Sequence, residues 1–181
     1  LPLNRVKDLY LSEGFETMKA AAVERGNMSP SDLEDLFFSL EDVLSQYDWL
    51  ISDTDLFFKP AAPQALKDRL NWTGLLMRWD ELETVFYSQE WHMISGVLSA
   101  LPKGISEEAA QQLPLPKWDY EGYWNGNPQM QTSLTQVEVV PCDGYLLLFL
   151  ASGDALTDRF LRLYPKAMEL SDYIRKQTGN V

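Results

Sequence analysis

VEVVPCDGYLLLFL, residues 137–150, is the stretch on which the fold reading turns. Val137–Val140 is a short β-branched run, and Tyr145–Leu150 is a second apolar one. Between them Asp143-Gly144 supplies the residue pair favoured in tight antiparallel hairpins. Pro141 has no N–H to give to a ladder, so it belongs at the end of its strand. The second run shows no alternation of apolar and polar residues. That predicts a central strand covered on both faces.

Downstream, Ser152-Gly153-Asp154 introduces a helix over ALTDRFLRLY, stopped by Pro165. A last helix, KAMELSDYIRKQ, ends at Gly179. Leu156, Phe160 and Leu163, then Met168 and Ile174, carry the spacing of an amphipathic helix. Upstream, KWDYEGYWNGNPQMQ (117–131) ends in the turn signal Asn125-Gly126-Asn127-Pro128. Its parity predicts a strand over 118–124, with Trp118, Tyr120 and Trp124 on one face and Asp119, Glu121 and Tyr123 on the other. Before it, LPLP enforces an extended approach, and Ser106 with Glu107 and Glu108 opens a short helix.

Further upstream the pattern reads as helical. Residues 4–25 suggest a helix with a possible interruption at Gly14, halted by Gly26-Asn27. Lys59–Pro63 is a stiff break, and Gln64–Leu70 suits a short helix. Asp80 and Glu83 form a capping-box pattern ahead of an apparent helix to Leu101. Its apolar residues do not hold one phase: Leu82, Val85 and Phe86 define one arc, and Met93, Ile94, Val97, Leu98 and Leu101 another. A break near Ser88–Gln89, with Ser88 capping a second helical piece, explains this. The alternative is that Glu90 faces the core and becomes an acid/base candidate. His92, the chain's single histidine, sits at the edge of that arc and reads as partly buried.

The charge pattern sharpens the question of function. The net charge is −12 and the pI about 4.4. That disfavours nucleic acid and anionic membranes, both of which need clustered Lys and Arg. No apolar run approaches the roughly 20 residues of a membrane span. One cysteine, Cys142, precludes an intrachain disulfide and fits a reducing, cytoplasmic compartment. With a single His and a single Cys, a His/Cys zinc site is not to be expected. No phosphate loop, G-x-S-x-G, H-E-x-x-H or CxxC is present. The expectation is a protein without catalytic residues, metal or cofactor.

Between Arg25 and Lys59 there is no basic residue, yet eight acids: Asp32, Glu34, Asp35, Glu41, Asp42, Asp48, Asp53 and Asp55. Pro30–Tyr47 reads as a helix capped by Ser29, with Leu33, Leu36, Phe37, Leu40, Val43, Leu44 and Tyr47 on one arc. Glu34, Asp35, Glu41 and Asp42 fall opposite. Such a row reads first as a solvated helix face and second as a docking surface for a basic protein; the absence of Lys or Arg at i+4 raises docking above its usual standing. Asp53 and Asp55 fall in an expected loop, where an Asp-x-Asp pair reads as a turn or cap and only weakly as a cation site. Lys and Arg gather instead at Arg159, Arg162, Lys166, Arg175 and Lys176.

DLFFSLEDVLSQYDWLISD (35–53) and YWNGNPQMQTSLTQVEVVPCDGYLLLFLASGDALTDRFLRLYP (123–165) resemble, in style and layout, the stand-alone immunity proteins of bacterial polymorphic toxin systems, contact-dependent or type VI. The resemblance covers about half the chain and carries no residue roles with it. It implies a small acidic cytoplasmic inhibitor that covers the active site of a cognate toxin domain. The competing expectation is a carbohydrate-directed hydrolase or sugar-binding protein built on Trp118, Tyr120, Trp124 and nearby carboxylates. That reading needs two carboxylates within roughly 5–10 Å in an aromatic-lined pocket. A third expectation is an interaction subunit with no toxin involved.

The fold expected is α+β in one domain, 1–181. A helical part, about 1–113, packs on a small, mainly antiparallel sheet, and two C-terminal helices cover it.

Overall fold

A computed structural model describes residues 18–28 and 32–179. The chain is α+β, but the sheet is large. Among the described residues seven strands, all antiparallel, run in the order β3-β2-β4-β5-β6-β1-β7. They are β1 (Met18–Glu24), β2 (Tyr47–Phe58), β3 (Leu75–Met77), β4 (Trp91–Pro102), β5 (Val137–Cys142), β6 (Leu146–Ser152) and β7 (Met168–Glu169). Among the described residues seven α-helices are interspersed: α1 (Asp32–Ser39), α2 (Glu41–Leu44), α3 (Gln64–Leu70), α4 (Trp79–Ser88), α5 (Glu107–Gln111), α6 (Asp154–Leu163) and α7 (Leu170–Thr178).

Both sheet faces are covered. On one, Leu36, Phe37, Leu40, Leu44, Phe86 and Phe160 from the helices meet Trp49, Ile51, Leu98, Val139 and Phe149 from the strands. On the other, Leu170 and Tyr173 of α7, with Tyr123, cover Val97, Val140, Leu148 and Leu150. Beside them Ala109 and Ala110 of α5 cover Leu50 and Leu101. Alternate residues of one strand therefore feed different clusters, as the pleat requires.

The β5–β6 hairpin forms as the sequence indicates. Asp143 and Gly144 take φ of +49° and +64°, positive at both central positions as in a type I′ turn. β6 is buried from Leu146 to Ala151. The helices at 64–70, 107–111 and 154–163 also stand close to where they were expected.

The part expected to be a helical layer, about 1–113, is not one: among the described residues it holds four strands, β1 to β4. Residues 4–17 of the first expected helix, with Ser29 and Pro30 of the second, lie outside the described residues. Met18–Glu24 is a strand: its three alanines let α6 and α7 approach from opposite faces, and packing overrides their helical propensity. The helix expected to Tyr47 breaks at Leu40 and ends at Leu44, and Tyr47 begins β2. Asp53 and Asp55 lie within β2, not in a loop. The strand's irregular register there, with φ +50° at Asp53, gave the sequence its turn-like look.

Asp80–Leu101 does break where expected, at Gln89, which takes φ +50°. Beyond the break lies strand β4, not a second helix. β4 is buried on both faces from Ser95 to Pro102, so it lacks alternation and imitates helical spacing. Helix α4 starts at Trp79 with no side-chain cap bond, so the capping box is not formed. The segment 118–124 is no strand: it is irregular apart from a 3-10 turn at Glu121–Tyr123. The last helix begins at Leu170, after the two-residue strand β7.

Candidate partner-binding surface

Asp32, Glu34 and Asp35 occupy the first turn of α1, where carboxylates complement the helix dipole. Leu33, Leu36, Phe37, Leu40 and Leu44 are all buried against the sheet. Phe37 anchors them, its ring 4.6 Å from Trp49 and 4.8 Å from Phe86. The opposite side of α1–α2 faces outward. Asp35, Glu41 and Asp42 are exposed, and Glu34 is half-buried. Burial raises the Glu34 carboxyl above its usual range.

The eight acids do not form one ridge. Asp32 is buried and paired with both Nε and Nη2 of Arg25. Asp48 is buried at the start of β2, pairs with Arg78 and accepts the Gly104 N–H at 2.6 Å. Asp42 is exposed but receives Arg159 Nη1 at 2.7 Å, and that bond holds its carboxyl below the usual range. Asp53 accepts the Trp118 N–H at 3.1 Å. Asp55 is exposed on β2. Only Glu34, Asp35, Glu41 and Asp42 share the α1–α2 surface.

Two grooves flank α6. One, about 680 Å³, is lined by Met28, Asp35, Phe38, Leu163, Tyr164 and Lys166 among others. The second, about 550 Å³, is lined by Val43, Tyr47, Gln136, Gly153, Leu156 and Arg159 among others. Arg159 joins the walls by donating to the Ser39 carbonyl as well as to Asp42. Burial, then the charges of Asp35 and Asp32, push the Tyr164 phenol up to about 12.

The aromatic stretch does not make a platform. Trp118 packs against the second core cluster, while Tyr120 and Trp124 are exposed. Tyr123 is fully buried and meets the Tyr120 ring edge-on at 5.3 Å. His92 is exposed, and its Nε2 lies 3.0 Å from Arg25 Nη2. Burial and then Arg25 lower its pKa. Glu90 is half-buried, with Oε2 buried and without a hydrogen-bond partner. Cys142 is buried, and burial pushes its thiol up to about 12, far from a reactive thiolate.

Glu138 is the residue that sequence reasoning missed. It is fully buried on β5 and accepts the Tyr123 hydroxyl at 2.8 Å and the Gln131 N–H at 3.0 Å. Burial raises its carboxyl to about 7. The signal was there: an acid set between valines in a strand leading into an interior hairpin.

No family model, no curated protein and no solved structure matches this chain. Among the described residues no group of three or more His, Cys, Asp or Glu could hold a metal ion, and no helix is long and apolar enough to cross a membrane.

Proposed function

We propose that this chain is a non-catalytic acidic inhibitor, an immunity protein that binds a basic toxin domain in the cytoplasm and covers its active site. One observation carries the reading. With 27 acids against 15 bases, one-to-one pairing leaves 12 carboxylates over. Glu34, Asp35 and Glu41 stand on the outward side of α1–α2, and Asp35 lines a groove together with Phe38, Leu163, Tyr164 and Lys166. Apolar anchorage bordered by negative charge suits a basic protein surface, and the long-range field speeds its arrival.

The side chains of types used in catalysis support the same reading. Cys142 is buried with a raised thiol, His92 is engaged with Arg25, and Glu138 is shut away from water.

The test is affinity capture from the native cell with the wild-type chain and a Glu34→Lys/Asp35→Lys/Glu41→Lys variant. Asp42 is left intact to preserve its bond to Arg159. A basic protein should be retained by the first and lost by the second, and the rate of association of the purified pair should fall with salt. A partner held equally by both chains would remove the acidic surface from the proposal.

A further inference from the structure

Residues 117–131 cross the second face of the sheet without strand or α-helix, and one side chain draws their ends together. Gln131 Oε1 accepts the Lys117 N–H at 2.8 Å, while its Nε2 donates to the Lys117 carbonyl at 2.7 Å and to the Tyr123 hydroxyl at 2.6 Å. The segment is then fastened to β5 through Glu138. One oxygen of that carboxyl takes the Tyr123 hydroxyl and the other the Gln131 N–H.

Among the described residues no Lys or Arg acts on Glu138: burial and these two hydrogen bonds are what set its ionisation. The neighbouring strands present Val97 and Ser99 from β4 and Leu148 and Leu150 from β6. Ser99 is the Cα partner of Glu138 across the β4–β5 ladder, and its hydroxyl is buried with no hydrogen-bond partner. Facing side chains on one sheet face have Cβ atoms about 4.5–5.5 Å apart. Ser99 makes no hydrogen bond to Glu138 in this structure, so it reaches the carboxyl proton of a neutral Glu138 only by turning its side chain. An ionised Glu138 is a buried anion held by two donors, with no countercharge among the described residues.

We propose that residues 117–131 form a strap that closes over the sheet when Glu138 is protonated and loosens when it ionises, with the unpartnered Ser99 hydroxyl turning to accept the carboxyl proton in the closed form. On ionisation the proton passes to solvent, and water replaces Tyr123 and Gln131 around the carboxylate. The strap carries Asp119, Tyr120, Glu121 and Trp124, all exposed, so its release would reshape that part of the surface.

The sign follows from the two states. The open strap ionises near the ordinary 4.5, the closed one near 7. Opening therefore grows about tenfold per pH unit between those values and levels off above them.

Hydrogen exchange of the intact protein from pH 4.5 to 8, corrected for intrinsic exchange rates, tests this. The strap should open on the order of a hundredfold more at pH 7 than at pH 4.5, while β4, β5 and β6 remain more protected. Glu138→Gln, neutral at every pH, should abolish the rise, and Ser99→Ala should end it at lower pH. A wild-type strap whose protection is flat with pH would overturn the proposal. So would a strap that opens only in step with the core strands, or a rise that survives in Glu138→Gln. Should Glu138→Gln not fold, the wild-type profile and Ser99→Ala decide, and a plateau unmoved by Ser99→Ala would remove Ser99 from the latch.

Discussion

Arg25 and Asp32 meet inside the protein as an ion pair, each side chain only 4% exposed. The same guanidinium donates to the Met93 carbonyl at 2.6 Å, and the Gly144 N–H reaches the neighbouring Ile94 carbonyl at 2.8 Å. β4 pairs with β5 only through Leu98–Ala100. Arg25 and the Asp143–Gly144 turn thus satisfy the edge of β4 where β5 has diverged. The pair ties the end of β1, the start of α1 and β4 together.

Breaking this pair should be strongly destabilising, because the surviving charge stays buried. Asp32→Ala should cost about 3–5 kcal/mol, read as a drop in the urea midpoint. Glu34→Ala, two residues along on the same helix and half-exposed, should change it little. If Asp32→Ala proves as mild as Glu34→Ala, Arg25 has found another way to reach water.

The attachment of α1 rests on Phe37. Its ring is buried among Trp49, Phe86 and Trp79. Phe37→Ala should lose about 3–5 kcal/mol through the lost contacts and the cavity left behind. Partner association should weaken with it, since α1 carries Glu34 and Asp35. Phe37→Leu should retain most of both.

What the sequence made legible depended on whether a rule was local. Asp143-Gly144 needs only its own two positive φ angles, so the hairpin was readable. Ser106 caps α5 through the Ala109 N–H, and a cap is equally local. β2 and β4 failed because they lie inside the sheet. Trp49, Leu50 and Ile51, like Val97, Leu98, Ala100 and Leu101, face core on both sides. Burial on both faces erases the period of two that marks a strand, and chance spacings of three and four remain. The acidic surface was legible as four residues, Glu34, Asp35, Glu41 and Asp42. It was not legible as eight, because the partners of Asp32 and Asp48, Arg25 and Arg78, are brought in by tertiary folding.

His92 reports directly on the Arg25 cluster, since the chain has no other imidazole. Arginine only donates, so Nε2 must accept from Arg25, and the neutral ring carries its proton on Nδ1. Nitrogen shifts should show that tautomer. Proton NMR titration should place the imidazole below 6.5, because burial and the Arg25 charge both oppose protonation. The sign for stability is that of a lowered base: the contribution is present above 6.5 and is lost as pH falls from there through the folded-state value. Asp32→Asn removes the one nearby charge that favours the imidazolium, so it should lower the imidazole pKa further.

Glu138 should govern stability on the opposite side. Its carboxyl is raised from 4.5 to about 7 by burial, so the folded chain holds a proton that the unfolded chain releases. The contribution is therefore full below about 4.5 and declines as pH rises toward 7, where it is exhausted. A shift of that size amounts to about 3 kcal/mol. Urea unfolding of wild type should thus lose stability between pH 5 and 7 relative to Glu138→Gln, which keeps the shape without the titration; its NH2 replaces one of the two accepting oxygens, a loss that does not vary with pH. His92 acts in the reverse sense over part of this range, so the comparison is made on the difference between the two chains, in which the imidazole cancels. A difference that does not change with pH would mean that Glu138 is ionised in the folded protein at pH 5, and that the Tyr123 and Gln131 hydrogen bonds outweigh its burial.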